Sequence, residues 1–184
     1  MADVAGTIRN TALDGKRVAH DWVEVSPIDI AARLSLRAPA SSVGAVSAAL
    51  GIDLPGKPRL SATSGYVTAL CLGPDEWLVL ERGSGNPASR LAGVDAFHSA
   101  VDVSHRNVGI SVKGRGALAT LSAGCPQDLS IAAFPVGTCS RTLLGKVEIV
   151  VWRSAENEFH VECWRSFADY VFGFLQDAAR DAHF

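Results

Sequence analysis

The stretch VDVSHRNVGISVKG, residues 101–114, decides how the chain is interpreted, because it places an aspartate, a serine and a histidine within four positions. Successive side chains of an extended strand point to opposite faces. Asp102 and Ser104 would therefore share a face, and His105 would point away from Ser104. A Ser–His–Asp relay needs the imidazole between the hydroxyl and the carboxylate, an order that one strand cannot supply. The stretch predicts a strand with polar residues on one side, not a local catalytic triad.

The elements around this stretch occur in the same order twice. A strand, a helix, a hairpin and a second helix are predicted at residues 30–37, 43–50, 66–81 and 88–97, with Ser41 or Ser42 as the helix cap and Gly51 as its end. The order returns at residues 108–112, 117–123, 147–163 and 166–179, and the last helix carries the apolar stripe Phe167, Tyr170, Val171, Phe174, Leu175 and Ala178.

This repetition predicts an α+β fold made of two strand–helix–hairpin–helix units packed together. The corresponding division is an N-terminal arm at residues 1–24, a first unit at 25–99 and a second unit at 100–184. Identity between the two halves is low, so the repetition is one of architecture more than of sequence.

Composition excludes several classes of function. The 184 residues carry a net charge of −2, which does not suit a nucleic-acid backbone or an anionic membrane as partner. No apolar run reaches the roughly 18 residues of a membrane helix, and the polar N-terminus lacks the pattern of a signal peptide. The four cysteines form no C-x-x-C pair and match no zinc spacing. We therefore expect a cytoplasmic protein whose Cys71, Cys125, Cys139 and Cys163 are reduced thiols in or near the core.

No other motif indicates an active site. The histidines, at positions 20, 98, 105, 160 and 183, show no metal-ligand spacing, and Gly114-Arg115-Gly116 is too short for a nucleotide fingerprint. Arg106 and Arg165 each follow a strand and could hold a carboxylate, although an ion pair within the chain or an interface contact is the simpler expectation. Trp77, Trp152 and Trp164 are interpreted as core or interface anchors. We therefore predict no catalytic, cofactor-binding or metal-binding residue in this chain.

Four segments nevertheless carry a resemblance to a known family: LGPDEWLVL at 72–80, AVDVSHRNVGISVKGRGALATLSAGCPQDL at 100–129, FPVGTCSRTLLGKVEIVVWR at 134–153 and FHVECWRSFADYVFGFL at 159–175. Together they resemble the gamma subunit of bacterial heterotetrameric sarcosine oxidase. Residues 101–117 are also similar to the start of the folate-binding region of the glycine-cleavage aminomethyltransferases, where a D-hydrophobic-S-H-basic segment leads a strand into a glycine turn and a helix. The resemblance implies that Asp102, Ser104, His105 and Arg106 brace a strand and are not a reaction centre.

The resemblance also implies a function and a set of partners. The parent complex oxidises the N-methyl group of sarcosine through flavin to oxygen, giving glycine and hydrogen peroxide, and tetrahydrofolate traps the one-carbon unit. FAD, FMN, NAD and tetrahydrofolate belong to the alpha and beta subunits, and zinc belongs to the delta subunit. This chain would then be a non-catalytic subunit of the enzyme without a cofactor of its own. It would contact alpha and beta, and through them delta.

Two alternatives stay open at this point. The chain could be a stand-alone folate-binding protein like the aminomethyltransferases, with Asp102 and Trp77 as the first candidates for a pterin pocket. Alternatively, it could be the equivalent subunit of an N-methylglutamate-type dehydrogenase. A subunit buried against larger chains predicts an exposed apolar patch on the isolated chain.

Overall fold

The computed structural model describes residues 12–29 and 32–182, so the first 11 residues of the predicted N-terminal arm lie outside the described chain. Two antiparallel sheets make up its centre. The six-stranded sheet consists, in spatial order, of β1 Val18–Ala19, β2 Glu24–Ile28, β8 Asn107–Lys113, β11 Glu158–Trp164, β10 Val147–Ala155 and β9 Cys139–Leu144. The five-stranded sheet consists of β4 Ser61–Ser64, β5 Val67–Gly73, β6 Glu76–Glu81, β3 Ala32–Arg37 and β7 Ser99–Asp102.

Four α-helices cover the outer faces of the sheets: α1 Ala40–Leu50, α2 Pro87–Leu91, α3 Ala117–Ser122 and α4 Ala168–Asp181, the last preceded by a 3-10 turn at Arg165–Phe167. One core packs α1 and α2 on the five-stranded sheet, and a second packs α3 and α4 on the six-stranded sheet. A third core, with Leu70, Leu78 and Trp152 among its members, joins the inner faces of the two sheets. The molecule is thus a four-layer α+β sandwich, and the predicted fold class is confirmed.

The hairpins were the most predictable elements. β5 and β6 pair from Val67–Glu81 to Gly73–Glu76, and β10 and β11 pair from Ile149–Cys163 to Ala155–Glu158. Both runs are rich in β-branched and aromatic residues around a tight turn, which is the composition that favours such pairs. Gly51 ends α1 in the left-handed conformation, at φ 71°, as expected for a helix-terminating glycine.

Three helical predictions were wrong in detail. α1 begins at Ala40 after Pro39, and neither Ser41 nor Ser42 caps it, because the Ser42 amide donates to the Pro39 carbonyl and no side chain accepts from the first turn. The helix expected at 88–97 ends at Leu91, and Gly93 lies two residues beyond that end. The buried stripe of α4 consists of Ala168, Val171, Phe172, Leu175 and Ala179, which leaves Phe167 and Tyr170 exposed.

The predicted boundary between the two units, at residue 100, does not separate the two sheets. β2 lies in the six-stranded sheet beside β8, with Val25 opposite Val112, although it precedes the first predicted strand. β7 spans the division and pairs with β3 in the five-stranded sheet, with Leu34 opposite Asp102. Part of the predicted arm is also strand, since Val18 and Ala19 pair with Val25 and Glu24. The two sheets are therefore interlocked in sequence.

Within the part of the chain that the structure describes, no helix is long and apolar enough to cross a membrane.

Candidate functional site

Residues 102–107 form the crossing between the two sheets. β7 ends at Asp102, a turn follows at residues 104–106, and β8 begins at Asn107 in the other sheet. Val103 is buried between the sheets. The backbone N–H groups of Arg106 and Asn107 both donate to the Val103 carbonyl at 3.0 Å. The prediction that this segment braces a strand agrees with these contacts.

The serine of the apparent triad bonds to backbone. The Ser104 amide donates to Asp102 Oδ1 at 2.8 Å, and Ser104 Oγ accepts from the Arg33 amide at 2.8 Å. Ser104 Oγ also lies 3.4 Å from the Arg33 carbonyl, to which it donates. The hydroxyl thus extends the β3–β7 ladder by one rung, and His105 is exposed in the turn beyond it. The side chains of Asp102 and Ser104 therefore fix the shape of the crossing.

A buried ion cluster lies between the sheets next to this crossing. Arg33 of β3 donates from Nε to Glu162 Oε2 of β11 at 2.7 Å, and His160 Nε2 lies 2.7 Å from Glu162 Oε1. All three residues are at most 5% exposed. Gly109 of β8 makes room for them, since a Cβ there would lie 2.7 Å from Glu162 Oε1 and 2.9 Å from His160 Nε2. No local pattern could indicate this cluster, because Arg33 is 129 positions away from Glu162 in the chain.

The electrostatics of the cluster favour an ionised carboxylate. Burial raises the pKa of the Glu162 carboxyl, but the hydrogen bond and charge of His160, together with Arg33, outweigh it and leave the pKa below its ordinary value. A buried carboxylate with two partners holds the sheets in one relative position. It offers no open side to a substrate, since Glu162 is only 2% exposed.

A second, more exposed ion network links the same two sheets at the rim. Glu76 of β6 accepts from Arg37 of its own sheet at 3.0 Å and from Arg141 of β9 in the other sheet. Arg141 Nε also lies 3.7 Å from Glu148 Oε1. The hydrogen bond from Arg141 lowers the pKa of Glu76, with burial opposing it. Glu76, Arg141 and Glu148 of this network line a cleft of about 50 Å³, and Arg106 and Trp164 line the same cleft.

An aromatic face, which we define as Trp164, Phe167 and Tyr170, begins at this cleft. The side chains that β11 directs between the sheets are His160, Glu162 and Trp164, and only Trp164 emerges from the sandwich. Trp164, Phe167 and Tyr170 are 42%, 41% and 44% exposed. Arg106 Cζ lies 4.8 Å from the centre of the Trp164 ring, and the Trp164 and Phe167 rings stack at 6.1 Å. Trp164 is thus a surface anchor, whereas Trp77 and Trp152 are core residues.

The cysteines are in the positions that the sequence predicted. All four are free thiols in buried positions. Burial raises the pKa of Cys139 to about 12, with Cys71 adding to the effect, and burial with the nearby Glu162 charge raises that of Cys163 to about 12. Thiols with so high a pKa stay protonated at neutral pH and are poor nucleophiles.

The two candidates for a pterin pocket do not meet. Trp77 is 1% exposed, and its Nε1–H donates to the Pro55 carbonyl at 2.9 Å. Asp102 is at the exposed edge of the same sheet, with β3 between them and a register offset of two residues. Leu34 and Leu36 therefore separate the indole from the carboxylate. Among the described residues, no group of three or more His, Cys, Asp and Glu side chains is arranged to hold a metal ion.

Comparison with known proteins agrees with this arrangement. Residues 36–181 match the model of the "Sarcosine oxidase, gamma subunit family". The chain is 32% identical over 161 residues to "Sarcosine oxidase subunit gamma" of Arthrobacter sp. and 30% identical over 161 residues to the protein of that name from Corynebacterium sp. strain P-1. Each alignment covers 85% of this chain and 79% of the relative.

Two solved structures extend the comparison to the fold. A chain of the heterotetrameric sarcosine oxidase from Corynebacterium sp. U-96, solved with pyrrole 2-carboxylate, matches with a TM-score of 0.83 and 26% identity over 93% of this chain and 91% of that one. Aminomethyltransferase T from Bartonella henselae matches in fold alone, with a TM-score of 0.57 and 15% identity over 82% of this chain and 45% of that one. The expected resemblance to the aminomethyltransferase fold is confirmed, and the chain belongs to the sarcosine oxidase gamma subunit family.

Proposed function

We propose that the chain is the gamma subunit of a heterotetrameric sarcosine oxidase, in which it serves assembly and carries out no chemistry itself. The observation that carries the proposal is the match in fold, over nearly the full length of both chains, to a chain of a solved heterotetrameric sarcosine oxidase. That chain is part of a heterotetramer, which supports a subunit role for this one.

The use of the polar residues supports a structural role. Ser104 is bonded to the Arg33 backbone, and Glu162 is closed off by Arg33 and His160. Catalytic groups need access to a substrate and a pKa suited to proton transfer. Here the buried polar groups join one sheet to the other, which produces a rigid body suited to holding larger chains in place.

The chemistry of the complex would therefore reside in its partners. We propose that alpha and beta subunits bind FAD, FMN, NAD and tetrahydrofolate, that a delta subunit binds zinc, and that this chain contacts alpha and beta. Flavin held by the partners would supply the oxidation chemistry: sarcosine, oxygen and water would give glycine, hydrogen peroxide and a one-carbon unit at the oxidation level of formaldehyde, which tetrahydrofolate would trap. The chain's own contribution is to dock and to orient. We place the complex in the cytoplasm, where the four free thiols would stay reduced.

The test is to recover the tagged chain from its native cells. We expect larger polypeptides to co-purify, a yellow eluate with flavin absorbance, and hydrogen peroxide production that depends on sarcosine. Replacing sarcosine by N-methylglutamate and other N-methyl amino acids distinguishes an oxidase of sarcosine from a related dehydrogenase. A colourless eluate containing this chain alone would refute the proposal.

The stand-alone folate alternative is tested on the purified chain by itself. Fluorescence of the isolated chain, dominated by its tryptophans, should not change on titration with tetrahydrofolate to high micromolar concentration, because Trp77 is enclosed and separated from Asp102. Saturable quenching would favour a folate-binding protein and would weaken the assignment to a purely structural subunit.

A further inference from the structure

The aromatic face is exposed, although the helical pattern of the sequence predicts that Phe167 and Tyr170 belong to the core. Phe167 and Tyr170 fit the apolar stripe of α4, yet the helix buries Val171, Phe172 and Leu175 instead. Tyr170 packs at the β9–β10 turn, where a Cβ on Gly145 would come within 2.5 Å of the Tyr170 hydroxyl. The face therefore runs from the cleft at Trp164 to this turn. Three large rings on this surface, each more than 40% exposed, are costly in water unless something covers them.

The charges at the two ends of the face are positive and unpaired. Arg106 stacks on Trp164 at one end, and Lys146 lies next to Gly145 at the other. Neither has a carboxylate partner in the described part of the chain, whereas Arg37 and Arg141 at the neighbouring rim are held by Asp75, Glu76 and Glu148. The net charge of the whole chain is −2, so this local excess of cations is not a general property of the surface.

We propose that the aromatic face receives an acidic, apolar segment of a larger partner polypeptide, with its carboxylates on Arg106 and Lys146 and its apolar side chains on the rings. This inference rests on the proposed function, which supplies the partner, and it names the surface and the chemistry of contact. Tryptophan, tyrosine and arginine are the residues most enriched at the energetic centre of protein interfaces. An anionic segment matches the charge at both ends of the face.

The geometry also sets the part that each group plays. Arg106 Cζ lies 4.8 Å from the centre of the Trp164 ring and its backbone is fixed in the crossing turn, so the guanidinium is positioned at this end of the face before a carboxylate arrives. Trp164 and Phe167 are stacked and so lose little freedom on binding. A stable interface covers about 800 Å² on each partner, so the aromatic face would be its centre and the flanking surface its rim.

The experiment measures binding of variants of the full chain to the remaining subunits of its native complex. Trp164→Ser and the double charge reversal Arg106→Glu with Lys146→Glu should each weaken the dissociation constant by at least about tenfold. Added salt should weaken the wild-type interaction but should not weaken binding of the charge-reversed variant, because its new carboxylates would repel an acidic segment and salt screens that repulsion. The matched controls are Tyr66→Ser, an equally aromatic and more exposed site at 74%, and Lys57→Glu. Both should bind like the wild type.

Replacing Phe167 by a photo-reactive phenylalanine analogue gives a second measurement. This replacement truncates no side chain, so the result does not depend on whether a truncated variant folds. We expect a cross-link to a larger partner polypeptide, on a segment rich in Asp or Glu, and none from the same probe at Tyr66. A cross-link to a second copy of this chain would overturn the proposal.

The outcomes separate this inference from the proposed function. If wild-type chain binds no other polypeptide of its cells, the subunit role falls and the docking surface falls with it. If wild-type chain binds its partners, and the Trp164 and charge-reversal variants do so equally well with an unchanged melting temperature, only the docking surface is refuted.

Discussion

Arg33 and Glu162 form an ion pair that spans the two sheets, with the Arg33 Nε to Glu162 Oε2 distance at 2.7 Å and both side chains almost fully buried. Each group has given up its hydration and relies on the other, so removal of either leaves an uncompensated buried charge. A bond of this kind contributes less to stability than to fixing one arrangement of the sheets. This is the property that a subunit with a positioning role requires.

Arg33→Met tests that dependence, because it removes the cation and retains most of the volume. We expect the free energy of unfolding, measured by urea denaturation, to fall by about 3–5 kcal/mol, since Glu162 would be left with His160 alone. The control is Arg37→Met, whose guanidinium is 56% exposed in its pairs with Asp75 and Glu76, and which should cost less than about 1 kcal/mol. Similar losses in the two variants would show that the buried pair contributes no more to stability than the exposed pairs of Arg37.

Gly109→Ala probes the space around the same cluster. The added methyl would meet Glu162 Oε1 at 2.7 Å, His160 Nε2 at 2.9 Å and Arg33 Nη2 at 3.1 Å, so the ion cluster has to shift. We expect a loss of about 1–3 kcal/mol in thermal or urea unfolding. Gly44→Ala is the matched control, because Gly44 lies inside α1 and the new Cβ would meet nothing within 4 Å apart from its chain neighbours and the backbone of its own helix. That change should stabilise the chain by about 0.5–1 kcal/mol, and a gain at Gly109 would contradict the packing described here.

Patterns within single segments were enough to predict several hairpins and helices, and the elements that were not predicted have physical explanations. The β5–β6 and β10–β11 hairpins and the helices α1, α3 and α4 follow from patterns within one segment. β2 was not predicted because Pro27 interrupts its strand pattern. The structure tolerates this proline because β1 pairs only with Glu24 and Val25, which leaves β8 as the only described neighbour of β2 at Pro27.

Long-range pairing was beyond a single sequence. The pairings of β2 with β8 and of β7 with β3 depend on which sheet edges are available in space, and no local pattern records this. The Arg33–Glu162–His160 cluster is also invisible, since an arginine at position 33 and a glutamate at position 162 look like ordinary surface residues in their own strands. The absence of a catalytic site in this chain stays a prediction.

Acid should separate the two sheets through their carboxylates. The pKa of Glu76 and that of Glu162 lie below the ordinary value of 4.5 in the folded chain, whereas in the unfolded chain both groups take up protons near that value. The unfolded state therefore binds more protons below about pH 4.5, and stability falls as the pH decreases through the folded pKa values. At neutral pH this contribution is fully present.

Urea unfolding across pH 7 to pH 3 measures this effect. We expect a plateau near neutral pH and a decline below about pH 4.5, and Glu76→Gln should decline less steeply because one of the two shifted groups is gone. High salt should reduce the contribution of Glu76 to stability, since its partner Arg141 is 40% exposed. It should reduce the contribution of the enclosed Glu162 less. Identical pH profiles for the variant and the wild type would exclude a role of Glu76 in acid stability.

The thiols offer a direct test of burial. Each of the four cysteines is enclosed in the folded chain, and the pKa of Cys139 and of Cys163 is raised to about 12. At pH 8 a thiol reagent such as DTNB should therefore react slowly with the native chain, and all four thiols should react at once in denaturant. Rapid release of one equivalent from the native chain would reveal an accessible thiolate and contradict the placement of that cysteine.

Ser104→Ala distinguishes a structural serine from a nucleophile. The Ser104 hydroxyl accepts from the Arg33 amide at 2.8 Å, so its loss leaves that amide without its partner and should lower the free energy of unfolding by about 1–2 kcal/mol. In the assembled oxidase the rate of sarcosine-dependent peroxide formation should stay within about twofold of the wild type, whereas loss of a catalytic nucleophile lowers rates by about a thousandfold or more. Ser41→Ala, at an exposed position of α1, controls for the substitution itself and should change stability by less than about 0.5 kcal/mol. A severe loss of activity in Ser104→Ala with unchanged stability and intact assembly would restore the catalytic interpretation that the strand geometry argues against.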